Sequence, residues 1–134
     1  MKRIVIVGAT SGLGQEVARL CIGAGWRVGA AGRNAEALAQ LKALAPAQVE
    51  TAVIDVTRDD APQQLGELAG RLGGMDIYFH TSGIGKRNTE LTPDIELATL
   101  RTNGEGFVRM VTAAFSWFRS HGGGHIAVVS SVAG

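Results

Sequence analysis

Val7-Gly8-Ala9-Thr10-Ser11-Gly12-Leu13-Gly14 joins the apolar run Ile4-Val5-Ile6-Val7 to a stretch with helical spacing. A strand that turns into a helix needs glycine where the backbone takes positive φ or where a side chain would block a ligand. The helix start then offers free amides and the positive end of a dipole, which together suit a phosphate. Gly8, Gly12 and Gly14 therefore predict a nucleotide site, with a tight turn that holds no ligand as the alternative. The spacing Gly-x3-Gly-x-Gly departs from the common Gly-x-Gly-x-x-Gly fingerprint, so the turn alone is a loose match.

Working outward, Lys2 to Val7 reads as a central buried strand, because its β-branched run lacks polar alternation. Gly12 to about Ala24 reads as a helix whose covered face carries Leu13, Val17, Leu20 and Cys21, ended by Gly23 and Gly25. Arg27 to Ala31 is the second strand, and Asn34 caps a helix through Leu38, Leu41 and Leu44 that stops at Pro46. Val49 to Ile54 is the third strand. Asp59 or Asp60 caps the next helix, with Pro62 in its first turn and Gly73-Gly74 at its end. Met75 to Phe79 is the fourth strand, Thr92-Pro93 opens a long helix carrying Ile95, Leu100, Phe107, Val111 and Phe115, and His121-Gly122-Gly123-Gly124 closes it. Ile126 to Val129 is the fifth strand.

Five strands alternating with four helices predict an α/β fold, a doubly wound parallel sheet of the Rossmann-like type, over a single domain spanning residues 1–134. In the strand order 3-2-1-4-5, chain direction reverses between strands one and four, and ligands bind outside their carboxyl ends. The glycine turn and the Thr81-Ser82-Gly83 loop both fall at that crevice.

Composition narrows the function classes. The 134 residues carry 13 basic and 12 acidic side chains, a net charge of +1, with no basic tract to mark a nucleic-acid footprint. The apolar start at Ile4 is too short for a membrane span, and the single cysteine, Cys21, lies among helix core positions. A cytoplasmic protein without membrane or nucleic-acid partners is expected. His121 and His125 have no metal-ligand companions, so no metal is assigned.

The turn closely resembles that of the short-chain dehydrogenase/reductase family, Thr-Gly-x3-Gly-x-Gly, with Val7 in place of the threonine. Asp55-Val56-Thr57 is similar to the family's aspartate after strand three, and Thr102-Asn103-Gly104 to the asparagine site in helix four. Val129-Ser130-Ser131-Val132-Ala133-Gly134 resembles the family's active-site serine segment, so the likeness runs along the whole chain in family order. One segment departs: His80-Thr81-Ser82-Gly83 stands where the family has Asn-Asn-Ala-Gly.

The resemblance implies a nicotinamide cofactor. Contact then falls to Gly8, Thr10, Ser11, Gly12, Leu13 and Gly14 in the turn, to Asp55 and Val56 at the adenine, and to Thr81, Ser82 and Gly83 after strand four. An acidic residue at the end of strand two holds the ribose of NAD, whereas an arginine there accommodates the phosphate of NADP. Gly32-Arg33 occupies that position, and a guanidinium grips phosphate through paired hydrogen bonds, so NADP(H) is favoured over NAD(H).

The implied reaction is hydride transfer on a small carbonyl or alcohol. Ser131, with Ser130 as the alternative, would orient the substrate oxygen, and Asn103 would support a proton-relay water. The family's general acid is a tyrosine followed four residues later by a lysine. The one tyrosine, Tyr78, lies in strand four with Ser82 at that spacing, so the chain reads as truncated before the pair and inactive alone. His80 suits acid-base work by its ordinary pKa, but its strand-end place points to a structural role. A bare strand edge and apolar helix face would favour a homo-oligomer. A non-catalytic NADP(H) sensor or scaffold, and an interaction protein with an empty crevice, are the competing readings.

Overall fold

A computed structural model of the chain describes residues 1–10, 12–81 and 93–129. Strand β1 (Arg3–Val7) leads to helix α1 (Gly12–Gly23), β2 (Arg27–Gly32) to α2 (Ala35–Leu44), and β3 (Val49–Val53) to α3 (Ala61–Arg71). Strand β4 (Ile77–Thr81) precedes α4 (Pro93–Leu100), a π-helical turn at Arg101–Gly106, α5 (Phe107–Ser120) and β5 (His125–Val129). All pairings are parallel, and the strands lie in the order β3-β2-β1-β4-β5, the doubly wound order expected.

Alternation along the buried strands sends side chains to two helix layers. On one face Ile4 and Ile6 of β1 pack with Val28 and Ala30 of β2 against Ala18, Cys21, Leu38 and Leu41 of α1 and α2. On the other, Val5 and Val7 join Ala31, Ile54 and Tyr78 against Leu65, Leu68, Met110 and Ala114 of α3 and α5. Asn34 caps α2 as expected, its Oδ1 accepting from the Ala37 amide at 3.0 Å.

Three expectations change. The covered face of α1 carries Gly14, Ala18 and the expected Cys21, with Val17 packed beside them as expected, while Leu13 and Leu20 are exposed, Leu20 at 71%. The helix starts so close to the sheet that only small residues fit: a Cβ on Gly14 would collide with the Gly8 carbonyl. Strand four runs from Ile77 to Thr81, two residues later than Met75 to Phe79, because Asp76 is held at the strand's entrance by the Arg3 amide (2.9 Å) and guanidinium (3.1 Å). His80 and Thr81 are consequently its last rungs, opposite Val128 and Val129. The long helix is interrupted by the π-helical turn, whose wider loop shifts the phase of α5 relative to α4. Met110, Ala114 and Phe118 are buried, while Leu100 and Phe115 are exposed.

Candidate functional site

Because the strands are parallel, their carboxyl ends share one side of the sheet, and order reverses across β1 and β4. A cavity of about 620 Å³ opens there. Val7, Gly8 and Thr10 contribute from the β1 turn, Gly32 to Ala35 from the end of β2 and start of α2, and Ile54 to Val56 from the end of β3. His80 and Thr81 enter from β4, and Thr102 from the π-helical turn.

The glycine turn is packed too tightly for side chains at two points. Gly8 sits at φ +89, and a Cβ there would collide with the Thr81 hydroxyl. Thr81 Oγ1 donates to the carbonyl of Val7 at 3.2 Å, so β4 braces the turn. The amides of Gly8 and Ala9 both donate to the Ala31 carbonyl, at 2.9 and 3.0 Å, and tie it to β2. Gly12, at φ +53, begins α1, whose first-turn amides have no carbonyl partner within the helix. The turn thus keeps its backbone bare where an anion can approach, which fits a pyrophosphate.

At the other end of the cavity, Gly32 lies against Thr10. A Cβ at position 32 would come within 2.8 Å of Thr10 Cγ2, leaving no room for a carboxylate-bearing side chain without moving Thr10. Arg33 follows at the cavity mouth beside Asn34. Opposite them, Asp55 Oδ1 accepts from the Thr57 hydroxyl at 2.6 Å and the Thr57 amide at 2.9 Å. The Thr57 hydroxyl holds the Asp55 carboxyl below the usual carboxylate range, helped by its amide and by the charges of Arg33 and Arg58. Asp55 is therefore both a turn residue and a cavity residue.

His80 and Tyr78, two apart on β4, project to the same face. The Tyr78 hydroxyl and His80 Nδ1 lie 2.9 Å apart, and the His80 ring meets Phe107 edge-on at 5.5 Å. Burial lowers the His80 pKa from 6.5 to about 4, which keeps the ring neutral at physiological pH, and it raises the phenol of Tyr78. This is a packed, hydrogen-bonded pair in which His80 lines the cavity and Tyr78 lies in the core, consistent with the structural role expected of His80.

Of the site residues read from sequence, Gly8, Thr10, Arg33, Asp55, Val56 and Thr81 line the one cavity, while Gly12, Leu13 and Gly14 stand beside it in the first turn of α1. Asn103 lies in the π-helical turn next to Thr102; its Oδ1 is buried without a partner among the described residues. Ser11, Ser82, Gly83, Ser130 and Ser131 lie outside the described residues. Asn34, Ala35, Ile54, His80 and Thr102 also line the cavity without having been assigned to it. Adjacency to Arg33 signalled Asn34 and adjacency to Asn103 signalled Thr102, whereas nothing local signalled Ile54.

A bare-backbone turn at the switch point of a five-stranded parallel sheet defines a Rossmann-like α/β protein. The family described as short chain dehydrogenase matches residues 2–134, and the chain belongs to it. It is 34% identical to Dehydrogenase/reductase SDR family member 7B of Bos taurus, over 98% of this chain and 44% of that one. An uncharacterized oxidoreductase of Mycobacterium tuberculosis is 30% identical, over 99% of this chain and 56% of its own length. The chain thus spans about half the length of the curated relatives it matches. Among solved structures, serine dehydrogenase from Escherichia coli superposes with a TM-score of 0.83 at 26% identity, covering 96% of this chain and 61% of that one. An actinorhodin polyketide ketoreductase with NADPH superposes at 0.83 with 25% identity, covering 97% and 53%. The family is one of nicotinamide-dependent oxidoreductases acting on small molecules.

Proposed function

We propose that this chain is the cofactor-binding part of an NADP(H)-dependent oxidoreductase that interconverts a small carbonyl and its alcohol. The observation that carries the cofactor choice is the end of β2, where Gly32 is backed by Thr10 and followed by Arg33. No carboxylate stands there to hold the ribose of NAD, a side chain at position 32 would have to displace Thr10, and the guanidinium favours a 2′-phosphate.

Gly8, Ser11, Gly12, Leu13 and Gly14 would hold the pyrophosphate, Arg33 and Thr10 the 2′-phosphate, Asp55 and Val56 the adenine, and Thr81 with Ser82 and Gly83 the ribose beyond it. The bound nicotinamide supplies or accepts hydride. Ser131, or its neighbour Ser130, orients the substrate oxygen, and Asn103 supports a relay water. The only tyrosine, Tyr78, is fully buried in β4, so no phenol in these 134 residues is placed to protonate a substrate, and the chain alone is inactive. The same fact supports the second reading, a sensor or scaffold module that binds NADP(H) without turning over substrate. We assign the protein to the cytoplasm and to a homo-oligomer.

Titration of the chain with NADPH and NADH tests the reading. NADPH is expected to bind at least tenfold more tightly, and Arg33→Ala to remove most of that preference, as loss of a charge-assisted pair with phosphate would. Equal binding of the two cofactors, unchanged by Arg33→Ala, overturns it.

A further inference from the structure

The wall formed by Asp55 and Val56 closes on itself. Asp55 Oδ1 takes both Thr57 donors, and the Arg58 amide donates to the Asp55 carbonyl at 3.1 Å. The last sheet-like bond before it is Ile54 to the Gly32 carbonyl, 2.9 Å. Past that rung, the turn is tied to the rest of the protein from α5: Arg109 Nη1 donates to the Val56 carbonyl at 2.8 Å, across 53 residues of sequence.

We propose that Arg109 is a positioning residue for the adenine end of the cavity, its guanidinium pinning the Asp55–Thr57 turn through the Val56 carbonyl. The proposal rests on the reading of this cavity as an NADP(H) site. Two further observations favour it. The Arg109 side chain is 24% exposed, so its hydrogen bond is sheltered, whereas its ion pair with Asp59 is long, 3.6 Å, and Asp59 is fully exposed. Such a pair contributes little in water, which leaves the carbonyl as the contact that matters. One turn earlier, Gly106 lies so close to Val56 that a Cβ would stand 2.5 Å from Val56 Cγ2. The helix therefore backs the wall by contact at Gly106 and fastens it at Arg109, and the same stretch delivers Thr102 to the cavity. With the guanidinium gone, the turn keeps its internal bonds but loses its anchor, and Asp55 and Val56 lose their fixed place opposite Arg33.

The test compares the wild-type chain with Arg109→Met, Arg109→Lys and Asp59→Asn by titration with NADPH and with 2′,5′-ADP. Amide hydrogen exchange at Val56 to Arg58 is followed in the absence of nucleotide. Arg109→Met is expected to weaken both ligands by the same factor, about tenfold, and to speed exchange in that turn selectively. Lysine, which keeps a donor, restores most of the affinity, and Asp59→Asn changes neither readout. Unaltered affinity in Arg109→Met, a loss larger for NADPH than for 2′,5′-ADP, or exchange that rises throughout the chain each overturns the proposal. Failure of the wild-type chain to bind either ligand overturns the functional reading instead. Exchange then decides the anchor alone, and an unchanged turn in Arg109→Met defeats it.

Discussion

His80 stands at the meeting of cavity and core, with the Tyr78 hydroxyl at Nδ1 and Phe107 across its edge. Its ring titrates near 4 in the folded chain against 6.5 when unfolded. Between these values the unfolded chain binds more protons, so stability falls as pH drops from 6.5 to 4 and His80 adds no further slope below. The loss across that window is on the order of 3 kcal/mol. Asp55 and Asp76, both lowered from 3.8 by hydrogen bonds from Thr57 and Arg3, keep their contributions until pH falls below that value, so the two windows separate. Urea midpoints taken at pH 7, 5.5 and 4.5 should fall for the wild type and stay nearly level for His80→Asn. A variant that keeps the full slope would place the titration elsewhere. Sequence placed His80 at the strand end, but its neutrality depends on Phe107 and Tyr78 closing over it.

At the scale of the elements, glycines in helices divide into two kinds. Gly14 faces the Gly8 carbonyl at the start of α1, whereas Gly66, inside α3, has open space where a Cβ would go. Alanine is the better helix former by about 1 kcal/mol, so Gly66→Ala should stabilise the chain by roughly that amount. Gly14→Ala should instead destabilise it by about 1 to 3 kcal/mol, since a methyl group against backbone forces helix and turn apart. Thermal melts of the two variants check the opposite signs; a shared sign would refute the packing argument. Element types and order were legible in the sequence, because apolar runs, the Asn34 cap and the glycine stops are local signals. The covered face of α1 was legible only at Val17 and Cys21, since large apolar residues at Leu13 and Leu20 match helical periodicity equally well. Only the short distance from helix to sheet selects Gly14 and Ala18 in place of Leu13 and Leu20. The phase of α5 was lost for a related reason: the π-helical turn breaks the count that runs from Ile95 to Phe115.

Across the whole molecule, large apolar side chains remain exposed on α4, α5 and β5. Val108 and Phe115 stand two turns apart on α5, Leu97 and Leu100 are exposed on α4, and Val128 and Val129 are exposed on β5, an edge strand of the sheet. Exposed apolar side chains together with a strand edge favour association. Sedimentation is expected to show the chain self-associating at micromolar concentration, with Phe115→Glu weakening association about tenfold while leaving the circular dichroism unchanged. A wild-type chain that stays monomeric at high concentration would dispose of this expectation.

The sequence by itself determined the alternation of strands and helices, the bare-backbone turn at Gly8 to Gly14, and the exchange of an acidic residue for Gly32-Arg33. These are short-range patterns, fixed by backbone preference and by neighbours along the chain. Tertiary structure decided that Thr10 fills the space beside Gly32, that Thr81 braces the turn, that Thr102 and His80 reach the cavity, and that Arg109 holds the Val56 carbonyl. Each of these joins residues distant in sequence through a contact a few ångströms wide, and such distances are set only when sheet and helices pack.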